Sequence, residues 1–272
     1  MNTEGDCDAG EETDMSVNTE TVVSERIDEH ITLITINRPE RRNAVDGATA
    51  RALEAAMDAF EADPSARVGI LTGAGSAFCA GQDLKAAAEG DMGRTDRRGG
   101  FGMMAVRPNK PLIAAVEGHA LAGGFELCLA CDLIVASTET RMGLPEAAKA
   151  LVAIGGGLFR LPKRMPYHVA MELALTGEDR PASYFAQWGL VNHVVAADEV
   201  LGTAIDLARR IAASGPLAVR ATTEIVRRAY DWREDDAWEL QKRYAEPAID
   251  SEDTQEGIRA FLEKRPPVWK GR

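Results

Sequence analysis

The sequence predicts an α/β protein that becomes wholly helical beyond about residue 200. Continuous apolar runs at Val68-Gly-Ile-Leu-Thr72, Leu112-Ile-Ala-Ala-Val116 and Leu133-Ile-Val-Ala136 read as short strands covered on both faces. Between them lie segments of helical period, and this alternation of strand and helix implies an α/β core. Residues 201–272 carry helical patterning alone.

Each element has a local cause. Residues 1–20 hold seven acidic side chains, no Lys or Arg and few large apolar residues, which predicts a disordered acidic tail. Ile31-Thr-Leu-Ile-Thr-Ile36 alternates apolar and polar as a half-buried strand does. Asp46 is placed to cap a helix with Leu53, Met57 and Phe60 on one face, stopping before Asp63-Pro64. Leu190-Val-Asn-His-Val-Val195 is a fifth strand, closing a core over 21–200. Asp198 then caps a helix with Leu201, Ile205, Ala208 and Ile211 on one stripe, ended by Gly215-Pro216. Further helices are expected over about 217–230, 234–246 and 252–264, carrying Trp232, Trp238, Tyr244 and Phe261 for packing on their own core or, for part of this surface, against another subunit.

Composition excludes several classes of function. The chain is acidic, net charge −12, or near −5 beyond the tail, where 36 acidic residues face 31 basic ones. That balance argues against non-specific nucleic-acid binding. No apolar run is long enough to span a membrane and the first residues lack the basic and apolar regions of a signal peptide, so a cytoplasmic protein is expected. Four cysteines make no disulfide framework, and Cys128-x-x-Cys131, in an apolar helical run without a second Cys/His pair, reads as two buried small hydrophobes. The four histidines have no metal-ligand spacing, no G-x-S-x-G elbow is present, and Gly73-Ala-Gly75 lacks the third glycine of a dinucleotide loop.

Three segments could carry chemistry. Glu126 closes Gly118-His-Ala-Leu-Ala-Gly-Gly-Phe-Glu126, Glu146 closes Met142-Gly-Leu-Pro-Glu146, and Ala77-Phe-Cys-Ala-Gly-Gln-Asp-Leu84 has the form of a loop that turns amides toward a ligand. Two carboxylates can divide the work of general base and general acid. A helix starting at Gly123 would offer unpaired N–H groups to a developing oxyanion. On spacing alone, helix-start electrostatics are the better explanation of each glutamate, and tight turns of the glycines. Residues 89–102, with Arg97 and Arg98, form a loop bordering a pocket.

Taken in order, Asn37-Arg-Pro-Glu-Arg-Arg-Asn-Ala-Val45, Phe78-to-Leu84, Gly118-to-Asp132 and Gly143-Leu-Pro-Glu146, with the closing Ala260-Phe-Leu-Glu-Lys-Arg-Pro-Pro267, resemble the enoyl-CoA hydratase/isomerase (crotonase) superfamily across residues 21–272. The resemblance implies a spiral of repeated ββα turns and a helical C-terminal region, 201–272, used in assembly as a homotrimer or dimer of trimers. It implies an oxyanion hole from the N–H groups of Ala80 and Gly123, catalysis by Glu126 and Glu146, and substrate or CoA contacts from Arg41, Ala80, Gly81, Gln82, Asp83, Leu84 and Lys264. Ala122 departs from the family's third glycine, a change expected to be tolerated because the donor is the next residue. Retention of both glutamates favours hydration of an α,β-unsaturated acyl-CoA, with CoA part of the substrate and no metal or other cofactor. A Δ3-Δ2 isomerase using Glu146 alone, or a non-catalytic acyl-CoA-binding protein, is the alternative. The acyl group stays open; residues 85–110 are expected to shape its pocket, with Met92, Phe101, Met103 and Met104 as lining.

Overall fold

The computed structural model describes residues 20–272, so the expected acidic tail lies outside the described residues apart from Glu20. Along the chain, β1 (Val22–Asp28) and β2 (Ile31–Ile36) precede α1 (Gly47–Ala62), and β3 (Val68–Gly73) precedes α2 (Leu84–Ala88). A small hairpin, β4 (Arg94–Thr95) and β5 (Gly99–Gly100), leads to β6 (Leu112–Val116), β7 (His119–Leu121) and α3 (Gly123–Ala130). Then come β8 (Leu133–Ser137), β9 (Arg141–Gly143), α4 (Gly157–Arg160), α5 (Tyr167–Thr176), β10 (Arg180–Pro181), α6 (Ala182–Gln187) and β11 (His193–Val195). The chain ends in α7 (Val200–Ala212), α8 (Pro216–Arg228), α9 (Glu234–Leu240), α10 (Lys242–Ile249) and α11 (Glu252–Glu263).

The main sheet runs β1-β2-β3-β6-β8-β11, antiparallel at its first pair and parallel elsewhere. A second sheet, β10-β9-β7, stands beside it, and single bridges Val45↔Gln82 and Cys79↔Ala120 continue the same stacking across earlier turns. Each turn of the chain therefore places one strand in the main sheet, a short extended piece at the second, and then a helix, which is the expected ββα spiral.

Both faces of the sheet's centre are covered, which is why β3, β6 and β8 are apolar without alternation. β2, expected to be half-buried from its alternation, is covered on both faces as well, with Thr32 only 9% exposed. Ile31, Leu33, Val68, Ile70, Ile113, Ala115 and Val135 pack under α7. Ile34, Ile36, Leu71, Ala114, Val116 and Ala136 face α1, α3 and the second sheet. The Asp46 cap forms as expected, its carboxylate accepting the Thr49 N–H. The Cys128 and Cys131 thiols are fully buried.

Several expectations need correction. The buried stripe of α7 is Val200, Ala204, Ala208 and Ala212, with Leu201, Ile205 and Ile211 flanking it, because small side chains let the helix lie close on the sheet. Asp198 does not cap this helix. A 3₁₀ turn, Ala197–Glu199, precedes it, and the Glu199 carboxylate accepts the Ala196 N–H. The fifth strand is only His193–Val195; Leu190 and Val191 are buried outside it. The helix expected over 234–246 is two, α9 and α10, divided at Gln241.

The 89–102 segment is anchored through Arg98, whose side chain is 1% exposed. Its guanidinium donates to Asp58 (2.8 Å), Glu61 (2.5 Å) and the Val106 carbonyl (2.9 Å). Arg98→Met takes the buried cation from two carboxylates of α1, leaving Asp58 with Arg97 and Glu61 with the Asn109 amide. The expected loss is about 3 kcal/mol, the low end for breaking a buried pair, since both acids reach solvent. Urea denaturation checks it; a loss under about 1 kcal/mol would mean that the network is incidental.

Candidate active site

The backbone of residues 76–82 is laid directly against residues 117–124. Phe78 N–H donates to Glu117 (2.8 Å), Cys79 N–H to His119 (3.1 Å) and Leu121 N–H to the Cys79 carbonyl (3.2 Å). Glycine permits this approach: a Cβ at Gly124 would stand 2.0 Å from the Cys79 oxygen, and one at Gly118 would stand 2.0 Å from the Ser76 oxygen. Asn43 completes the support from the first turn of the spiral. Fully buried, it donates to the Ala74 and Ala77 carbonyls and accepts the Arg38 N–H.

The Ala80 N–H cannot serve as an oxyanion donor here, because it donates to the Arg42 carbonyl at 3.0 Å. Two residues on, the Gln82 N–H has no acceptor among the described residues, nor does the Gly123 N–H at the first position of α3. Gly81 separates them with φ +98°, and a Cβ there would lie 3.2 Å from the Gly123 nitrogen. The two unused donors therefore flank one narrow space. Ala122, the residue before α3, holds φ +53° and ψ −127°, a conformation that favours glycine, so its side chain is carried at a cost in strain.

Glu126, on the first turn of α3, is 4% exposed. Burial raises its pKa, opposed by the amides of Gly157 and Gly155 and the charge of Arg160. The Gly157 N–H donates to its Oε1 at 2.8 Å. Glu146 ends the stretch after β9 and begins a 3₁₀ turn, its carbonyl accepting the Lys149 and Leu151 N–H groups. Burial, reinforced by the Glu126 charge, raises the Glu146 pKa to about 6. Its Oε2 is buried with no hydrogen-bond partner among the described residues. Such an oxygen points to a polar group that arrives with a ligand or water.

Glu146 opens on an apolar cavity of about 380 Å³ lined by residues of 144–175, among them Leu144, Leu158, Tyr167 and Met171. This differs from the expectation for 85–110. Phe101 and Met104 instead wall the glycine side, against Gly123 and Gly155, and Met92 is 51% exposed. Thiol chemistry is disfavoured nearby, since burial pushes Cys79 and Cys131 up to about 12. Among the described residues no group of three His, Cys, Asp or Glu side chains is placed to hold a metal ion, and no helix is long and apolar enough to cross a membrane.

The family model for enoyl-CoA hydratase/isomerase matches residues 26–272. The chain belongs to this family. Among its hydratase/isomerase relatives, the carnitinyl-CoA dehydratase of Proteus mirabilis is 43% identical over 247 residues, covering 88% of this chain and 94% of that one. The mevalonyl-coenzyme A hydratase of Aspergillus fumigatus is 39% identical over 249 residues, covering 89% and 92%. The crystal structure of an enoyl-CoA hydratase from Mycobacterium marinum superposes with a TM-score of 0.90 at 50% identity, over 93% of this chain and 99% of that one.

Of the site residues expected from the resemblance, Gly81, Gln82, Gly123, Glu126 and Glu146 come together in this hydratase/isomerase fold. Asp83 does not offer a free carboxylate to substrate: it caps α2 through the Lys85 and Ala86 amides and pairs with Arg38. Leu84 is 64% exposed at the start of α2, and Arg41 is exposed on a short 3₁₀ turn, Pro39–Arg41. Lys264 is the left-handed residue closing α11. Sequence reasoning gave Arg38, Asn43 and Arg160 no role, although the first two lie in the Asn37–Val45 segment; the contacts that tie them to the site, Arg38 to Asp83, Asn43 to Ala74 and Ala77, and Arg160 to Met104, join residues distant in the chain.

Proposed function

We infer that the chain is an enoyl-CoA hydratase, adding water across the C2–C3 double bond of an α,β-unsaturated acyl-CoA to give the 3-hydroxyacyl-CoA. The observation that carries this is the contrast within the glutamate pair. Burial raises both carboxyls, but at Glu126 the Gly157 and Gly155 amides oppose it and favour the anion, while Glu146, raised to about 6, has a buried oxygen without a partner among the described residues. One proton shared by the pair gives a base and an acid at once.

The thioester oxygen sits between the Gln82 and Gly123 N–H groups, which draw charge onto it and make C3 electrophilic. Ionised Glu126 takes a proton from the water that attacks C3. Protonated Glu146 delivers its proton to C2, and the carbonyl re-forms. Water supplies the hydroxyl, the glutamates exchange one proton for another, and CoA takes part only as substrate. The curated relatives are named for adding or removing water at CoA thioesters, which supports this reading.

Arg41 and Leu84 border the CoA portion, and Lys264 reaches a neighbouring subunit's substrate, a reading checked by comparing CoA with pantetheine thioesters. Assembly as a homotrimer or dimer of trimers is supported by apolar side chains left open on the C-terminal helices, Trp238 at 70% and Phe261 at 83% exposure, and is read by light scattering. The three cysteines among the described residues are free and buried, which suits a reducing cytoplasm. Loss of enoyl-thioester absorbance with crotonyl-CoA and longer homologues is the direct test. No loss at any chain length would sink hydration, and an absorbance gain from 3-enoyl-CoA alone would favour the isomerase.

A further inference from the structure

Among the described residues, Arg160, the last residue of α4, is the one side chain that hydrogen-bonds to both loops around Glu126. Its Nη1 donates to the Gly155 carbonyl at 3.1 Å, and its Nη2 donates to the Met104 carbonyl. Its own N–H donates to the Gly156 carbonyl, and Gly156 has φ +108°. The chain at 155–157 is thus folded back on Arg160, and the Gly157 amide is left aimed at Glu126 Oε1. Met104 carries the opposite wall: a Cβ built on Gly155 would meet its sulfur and Glu126 Oε2, each at 2.5 Å. Only a forked guanidinium can hold both carbonyls in fixed geometry.

We propose that Arg160 is a positioning residue, which clamps the 155–157 turn to the Met104 loop and so fixes the rotamer of Glu126 against the Gly157 amide. The proposal rests on the hydratase reading for its kinetic arm only. Glu126 faces Glu146 across the site and Arg160 from α4. Arg160 in turn lies near Arg107, Arg164, Arg227 and the Cys131 thiol. Arg160 is therefore the cation that lowers the Glu126 pKa, and its loss moves that pKa upward.

The test uses Arg160→Met and Arg160→Lys in the full chain, with melting curves to verify folding. For Arg160→Met, kcat for hydration falls on the order of 10²-fold, as for a misplaced catalytic group, with KM within about threefold. The acid limb of kcat/KM moves to higher pH, because ionised Glu126 is the base. Arg160→Lys keeps the charge and cannot span both carbonyls, so it keeps the limb while losing about tenfold in kcat. Carboxyl-carbon NMR of the unligated protein, assigned with Glu126→Gln, reads the same shift without turnover: Glu126 titrates higher in Arg160→Met, and the Gly157 amide signal moves in both variants. If no enoyl-CoA is hydrated, the function is wrong and the NMR arm alone judges Arg160. A folded Arg160→Met with wild-type kcat and an unmoved Glu126 titration overturns the proposal. If that variant fails to fold, wild-type kcat and an unmoved Gly157 amide in Arg160→Lys do so.

Discussion

Glu126→Gln and Glu146→Gln are each expected to lower kcat for hydration by about 10²–10⁴-fold, the range for removing a positioned acid or base. Binding of the CoA ester, followed by calorimetry, should change little, because glutamine keeps the shape and the hydrogen-bonding oxygen. The double variant should cost scarcely more than the worse single one, since the pair moves one proton as a unit. If Glu126→Gln kept wild-type hydration, the division of labour argued from the Gly157 amide would be wrong. Stability separates the two residues further. The Glu146 pKa lies above its ordinary 4.5, at about 6. Its protonated form is therefore favoured in the fold, and that stability is present below pH 4.5 and lost as pH rises through 6. Glu146→Gln should then be roughly 2 kcal/mol more stable than the parent at pH 7–8, with the two converging at low pH. Urea midpoints across that range check it, and a variant less stable than the parent at pH 8 would refute the raised pKa.

What could be read in the sequence divides along a physical line. Elements specified by their own residues were legible: Ile31–Ile36, Leu112–Val116 and the helix from Gly47 to Ala62 follow from apolar pattern, an Asp cap and a proline stop. Elements specified by distant neighbours were not. Strands of three residues such as β7 and β9 exist because the spiral stacks one against the other, and nothing in His119-Ala-Leu121 announces that. Of the expected α7 stripe, Ala208 is at its centre while Leu201, Ile205 and Ile211 lie at its edge, because hydrophobicity alone ranks Leu and Ile over Ala, whereas close contact with the sheet favours Ala. At the site, the glutamates and glycines were visible as residue types. Which amide faces the ligand was not, because Ala80 and Gln82 differ only in that the Arg42 carbonyl reaches one of them.

Gly124→Ala is expected to damage both fold and catalysis. In an open helix the exchange would stabilise by up to about 1 kcal/mol, because alanine restricts the unfolded chain. Gly202, in α7, is such a place, with nothing within 4 Å of an added Cβ, and Gly202→Ala should be modestly stabilising. At Gly124 the Cβ would lie 2.0 Å from the Cys79 carbonyl oxygen and 3.1 Å from its Cβ. Neither neighbour can yield by a rotamer change, so α3 must retreat from the strand-like segment it touches. The overpacking should cost on the order of 1–3 kcal/mol. The same retreat draws the Gly123 N–H away from the Gln82 N–H, and loss of one oxyanion donor costs about 10²–10³-fold in kcat. A destabilised Gly124→Ala with full kcat would mean that the two donors do not act together; a stabilised one would mean that the contact yields. The opposite signs expected at Gly124 and Gly202 assign the effect to the approach of two backbones, since the residue exchanged is the same.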